Sequence, residues 1–90
     1  MAYRSDYKKL ITEIIQKQIV ILGPDVALSK IRKIKGLEVN DKGEVIEIKG
    51  KPSEILQEIV DEYLSLSGQL FKTTIAPLLK KYPNIVVSTV

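Results

Sequence analysis

Apolar side chains recur at intervals of three and four over most of this chain, and at intervals of two over one short stretch near its middle. Tyr7, Leu10, Ile11, Ile14, Ile15, Ile19 and Leu22 keep helical spacing, which predicts a first helix from Ser5 to Leu22, with Ser5 as its N-cap and Asp6 in its first turn. Gly23-Pro24 breaks it, and Pro24 suits the first position of a second helix running to Lys35, with Val26, Ala27, Ile31 and Ile34 facing inward. A third helix begins at Pro52 and turns Ile55, Leu56, Ile59, Val60, Tyr63 and Leu64 to one side. After Gly68 a fourth is predicted over Gln69 to Tyr82, presenting Leu70, Phe71, Thr74, Ile75, Leu78 and Leu79. Pro77 lies inside it and is expected to kink or split it, because the ring displaces the carbonyl four residues earlier.

Between the second and third helices, Gly36 to Gly50 reads as a β-hairpin. The β-branched runs Leu37 to Val39 and Val45 to Ile48 flank Asn40-Asp41-Lys42-Gly43, where the Asx residues favour a turn and Gly43 tolerates positive φ. A loop over Asp41 to Glu44 pairs Val39 with Ile46 and Leu37 with Ile48, placing those four apolar side chains on one face and Glu38, Asn40, Val45 and Glu47 on the other. It is preferred to a three-residue loop with a bulge at Gly43, which would oppose Leu37 to Glu47 and scatter the apolar residues over both faces. Ile85 to Val87 is expected to be a short third strand wherever a sheet edge receives it. The fold class that follows is α+β: a single domain over residues 1–90, with about four helices packed on one face of a small antiparallel hairpin sheet. An offset of 45 aligns Leu10–Gly23 with Ile55–Gly68, matching Glu13 to Glu58, Ile14 to Ile59 and Gly23 to Gly68. Any two amphipathic helices that end in glycine agree to this degree.

Composition narrows the chemistry. With 44% hydrophobic and 28% charged residues the chain has a globular rather than a disordered make-up. It has no Cys and no His, which removes disulfides, thiolate nucleophiles, imidazole bases and the usual zinc ligands. Its wealth of Ile, Lys and Glu resembles the bias of thermophile proteins. The longest aliphatic run, Ile19 to Leu22, falls far short of the roughly 20 residues of a membrane span, and Met1 to Asp6 holds no apolar signal region. The expectation is a cytoplasmic protein without membrane contact.

The net charge of +3 matters through its distribution. Lys30, Arg32, Lys33 and Lys35 close the second helix, and pairing Gly36 with Lys49 returns Lys49 and Lys51 to the same end of the hairpin. Six cations on one edge make a candidate site for phosphates of a nucleic acid or another anion. No Phe, Tyr or Trp falls between Tyr7 and Tyr63, so base stacking does not accompany it.

Other motifs fail on their own chemistry. Gly50-Lys51-Pro52-Ser53 joins a strand to a helix, but Val45 stands where a phosphate loop needs its first glycine, and Pro52 removes an amide. Glu54, Glu58, Asp61 and Glu62 share a helix without a second carboxylate helix or a His to complete a metal site. Ser29-Lys30 and Lys51-Pro52-Ser53 offer Ser and Lys side chains without a triad's third member. A helix-turn-helix over Val60 to Pro77 is spoiled by the proline in its recognition helix.

The functional expectation is a non-enzymatic, homo-oligomeric interaction or regulatory module, with neither cofactor nor metal and with a second copy or another protein as partner. A chain of this length hides only about 60 to 65% of its unfolded surface, so the broad stripes of the first and fourth helices are expected to exceed what one copy covers. Tyr7, Ile11, Ile14, Ile15, Phe71, Ile75, Leu78 and Leu79 are the candidate oligomer interface. The alternative function is a small basic nucleic-acid-binding protein using the Lys/Arg edge.

Overall fold

A computed structural model describes residues 3–88. The element order is α1 (Arg4–Leu22), α2 (Pro24–Arg32), β1 (Leu37–Val39), β2 (Val45–Ile48), α3 (Pro52–Ser67) and α4 (Gln69–Lys80). It is the expected α+β arrangement of four helices against an antiparallel two-stranded sheet. α1 is central, in contact with α2, α3, α4 and β2.

The core is continuous across all elements. Leu10, Ile11, Ile14 and Ile15 of α1 meet Leu28 and Ile31 of α2, Leu37 and Ile48 of the sheet, Leu56, Ile59 and Val60 of α3, and Phe71, Ile75 and Leu78 of α4. Tyr63 is fully enclosed: its ring lies 5.7 Å from that of Phe71, and its hydroxyl donates to the Ala27 carbonyl at 2.8 Å. Burial pushes the Tyr63 hydroxyl well above the ordinary tyrosine range, so it stays a neutral donor that ties α3 to α2.

The hairpin departs from the expected register at one end. Leu37 pairs with Ile48 and Glu38 with Glu47, as spacing predicts, but Val39 pairs with Val45 and leaves Ile46 as the extra residue of a β-bulge. Val45 therefore packs toward the core while Ile46 is 55% exposed, the reverse of the expectation for these two side chains. The cause is the turn. The Asn40 side-chain carbonyl accepts from the amides of Lys42 and Glu44, both at 2.9 Å, while Asn40 N donates to the Glu44 carbonyl at 3.0 Å. Asn40 and Glu44 thus close a three-residue loop, Asp41 to Gly43, one residue shorter than the expected Asp41 to Glu44. Gly43 is pressed against α1 at φ 84°, where a Cβ would stand 2.7 Å from Ile19 Cδ1.

The free edge of β2 is covered by a column of α1 side chains. Arg4, Lys8, Thr12 and Gln16 repeat every four residues, about 6 Å along a helix, close to the roughly 6.6 Å between alternate strand residues. Arg4 donates to the carbonyls of Ile48 (2.7 Å) and Gly50 (3.2 Å), and Lys8 to that of Ile46 (3.4 Å). Thr12 Oγ1 accepts from Val45 N at 3.0 Å, and Gln16 donates to the Lys42 carbonyl at 3.4 Å. Helix side chains thus take the place of a third strand.

Element ends and faces differ from expectation in four further places. α1 starts at Arg4 with Tyr3 as N-cap and no side-chain cap bond, so Ser5 does not cap it. α2 stops at Arg32, leaving Lys33 and Lys35 in the turn to β1, and its inward set is Ala27, Leu28 and Ile31, with Val26 43% exposed. α4 runs unbroken through Pro77 and ends at Lys80, because Phe71, Ile75 and Leu78 anchor it on both sides of the proline. Leu70 lies off that stripe and is 51% exposed. Ile85 to Val87 pairs with no strand. Ile85 is buried, and Ser88 is gripped by the Gln57 side chain, which donates to its carbonyl at 2.8 Å and accepts from its amide at 2.9 Å.

One polar side chain is wholly inside. Gln18 sits on the core side of α1 with 0% exposure, and neither its amide nitrogen nor its oxygen has a hydrogen-bond partner. Gln18→Met keeps the length and removes that uncompensated burial, so a rise in unfolding free energy of about 1–3 kcal/mol is expected in urea titration. Thr12→Val should move the same transition the other way by about 1–2 kcal/mol, since it orphans the partly buried Val45 amide.

Candidate functional site

Two surfaces bear on function: the basic edge around the α2–β1 turn and the face shared by α1 and α4. The residues expected to form the first are only partly brought together. Arg32, at the end of α2, pairs with Asp41 of the hairpin loop at 2.7 Å. Lys33 pairs with Glu62 of α3 at 3.1 Å. Lys30 is half-buried on α2 and lines neither groove of this edge. Lys35, Lys49 and Lys51 do converge, from three separate segments, on a groove of about 500 Å³ floored by Gly36, Gly50 and Ile55. Gly36 permits the approach, for a Cβ there would collide with the Lys49 carbonyl, and Lys49 N donates to the Gly36 carbonyl at 2.7 Å as the hairpin register requires.

The same groove is walled by Glu54 and Glu58 of α3, and a neighbouring one holds Lys33 and Lys35 opposite Glu58, Asp61 and Glu62. The acidic side of α3 therefore meets the basic edge of its own chain. Electrostatically the edge is a mixed-charge seam rather than a cationic platform. Among the described residues Lys35, Lys49 and Lys51 form no ion pair, so their charge is screened by nearby carboxylates without being neutralised by contact.

The expected oligomer interface is corrected more sharply. Ile11, Ile14, Ile15, Phe71, Ile75 and Leu78 are each 5% exposed or less within the single chain, and Tyr7 and Leu79 are half-buried against the same cluster. The expectation that one copy cannot enclose these side chains fails because α1 is surrounded on several sides by α2, α3, α4 and the sheet. A broad apolar stripe on a central helix has this intramolecular explanation.

What the α1–α4 pair leaves uncovered lies one helical column further out. Val20 is 84% exposed, Leu70 51% and Ile21 38%. Val20 and Ile21 line a groove of about 790 Å³ together with Gln16, Lys17, Thr73, Thr74, Pro77 and Leu78, and Glu13 and Lys81 also line it. The Lys81–Glu13 ion pair, 3.1 Å, joins the two helices at the surface. The hydroxyls of Thr73 and Thr74 are turned back onto the carbonyls of Gln69 (3.1 Å) and Leu70 (2.8 Å) of their own helix. These threonines thus have no free hydroxyl hydrogen to offer a ligand, and the groove wall is chemically closer to valine.

Sequence reasoning missed Val20, Leu70, Thr73 and Pro77 as surface features because it assigned the central stripe to the partner. Their signal was present: Leu70, Thr73 and Pro77 fall at i, i+3 and i+7 on α4, a second column beside Phe71, Ile75 and Leu78. Among the described residues no three Asp, Glu, His or Cys side chains gather as metal ligands, and no helix is long and apolar enough to cross a membrane. Comparison with protein-family models, with curated proteins and with solved structures gives no match.

Proposed function

We propose that this chain is a small non-enzymatic interaction module that works as a homo-oligomer, with the α1–α4 groove as its self-association surface. The observation that carries the reading is Val20, which lines the groove and is 84% exposed; Leu70, outside the groove lining but one turn before Thr73 and Thr74 on α4, is 51% exposed. Contiguous apolar surface bounded by polar groups is what association surfaces present. A second copy fits the chemistry because the rim carries both signs, with Glu13 and Lys81 already paired within the chain, so the surface is not one of a single repelling charge. The threonine hydroxyls, already bonded within α4, ask for no polar partner. Light scattering at micromolar concentration should give at least twice the 10.1 kDa chain mass. The double variant Val20→Glu with Leu70→Glu, which alters only exposed side chains, should lower that mass with unchanged helical circular dichroism. A monomeric parent chain defeats the reading.

A second reading, binding of nucleic acid, is favoured by one observation: Lys35, Lys49 and Lys51 share a groove and no carboxylate is in contact with them among the described residues. Three phosphates neutralised would give a slope of about −2.7 in log K against log salt, weaker than dedicated duplex binders show. Glu54 and Glu58 work against it by lining the same groove. Duplex DNA titrated at two salt concentrations should show weak, strongly salt-dependent binding that Lys35→Glu with Lys49→Glu abolishes; no binding at low salt removes this reading.

A further inference from the structure

The two edges of the sheet are not treated alike. β2's edge is closed by the α1 column, whereas β1's has no such cover. Lys49 N donates to the Gly36 carbonyl, so the alternation of an antiparallel pair turns Glu38 toward β2 and turns Leu37 and Val39 outward. Leu37 N is taken by the Ile34 carbonyl, but the Leu37 carbonyl and both backbone groups of Val39 have no backbone partner among the described residues. What stands beside this edge is the Arg32–Asp41 ion pair, linking residues before and after β1, with both side chains open to solvent.

Elsewhere in the molecule lies a strand that lacks a sheet. Ile85 to Ser88 alternates buried, exposed, half-buried, exposed, a period of two, and Val86 is 84% exposed. The Gln57 amide takes both backbone groups of Ser88, which by the same alternation turns those of Val87 to the opposite side, where no backbone partner meets them among the described residues. We infer that the outer edge of β1 is a strand-addition site for residues 85–88 of a second copy. Val39 and Val87 then exchange two main-chain bonds, each strand keeps its half-buried valine on the core side, and Glu38 faces Ser88 on the solvent side.

The alternative in which β1 pairs with β1 of the second copy about Glu38 would oppose two glutamates, adding to the like-charge pair that Glu38 and Glu47 already form across the hairpin. Residues 85–88 carry no charge and avoid this. In a two-fold pair each copy gives one open edge and one unpaired strand, and the contact lies on elements other than α1 and α4. It therefore goes beyond the α1–α4 surface and stands or falls separately from it.

The chain has no Cys, which makes the test clean. In the double variant Glu38→Cys with Ser88→Cys, mild oxidation should yield a disulfide-linked species of twice 10.1 kDa on a non-reducing gel. Adding Val87→Pro, which suits an extended backbone but removes the outward amide, should reduce that species at least tenfold. Absence of the cross-link, equal cross-linking with Val87→Pro, or efficient cross-linking of Glu38→Cys alone each overturns the inference. A chain that cross-links as expected while its mass ignores Val20→Glu with Leu70→Glu keeps this strand contact and loses the α1–α4 surface.

Discussion

A two-stranded sheet of seven residues is unstable alone in water, and this one persists because α1 supplies what a third strand would. The column Arg4, Lys8, Thr12 and Gln16 bonds outward-facing groups from Gly50 back to Lys42, so the helix is pinned along the edge by hydrogen bonds while its adjacent column, Leu10, Ile11, Ile14 and Ile15, is pinned by burial. Each bond contributes only about 1 kcal/mol net. Their collective effect is positional: α1 cannot slide along β2 without breaking several at once. The same placement presses Ile15 and Ile19 onto Gly43 and so fixes the turn as well as the edge.

Fixing α1 fixes the rest. Because it lies against the sheet on one side and α2, α3 and α4 on others, its wide apolar stripe is covered by its own chain. The Tyr63 bond to Ala27 then ties α3 to α2, and burial of Phe71, Ile75 and Leu78 holds α4, with the solvent-screened Lys81–Glu13 pair beside it. On the α1–α4 side, apolar groups stay exposed at Val20 and Ile21 near the end of α1 and at Leu70 and Pro77 on α4.

The helices were legible from spacing, and so was the hairpin, because period 3.6 and period 2 are properties of local sequence. The pairing of Leu37 with Ile48 was legible too. The bulge at Ile46 was not: its cause is the Asn40 side chain capturing the amides of Lys42 and Glu44, which competes with the hydrophobic pattern and wins by satisfying donors that would otherwise be free. The role of the polar column on α1 was hidden because Arg4, Lys8, Thr12 and Gln16 look like an ordinary wet face until the strand beside them is known. The candidate interface failed for a related reason: stripe width records how many neighbours a helix has, and says nothing about whether those neighbours belong to the same chain. Of the basic edge, the convergence of Lys35, Lys49 and Lys51 followed from the hairpin register, whereas setting Lys33 and Lys35 against the carboxylates of α3 depended on packing between segments about 20 to 30 residues apart.

Main-chain groups satisfied by side chains are a recurring solution in this small fold, and they carry a physical consequence. A strand partner offers donors and acceptors at fixed spacing from a rigid ladder; a lysine or glutamine offers the same atoms at the end of a flexible stem and loses side-chain entropy in doing so. The α1 column overcomes that cost by numbers and by the burial beside it. Gln57 overcomes it with two bonds to one residue, Ser88, and a third contact to Asp61 at 3.1 Å that holds its amide in orientation. The outer edge of β1 has neither device, only an exposed ion pair, which at a solvated surface adds about 0–1 kcal/mol. The protection of this sheet is therefore one-sided: a competing strand would have to break several bonds to reach β2 and at most one weak pair to reach β1.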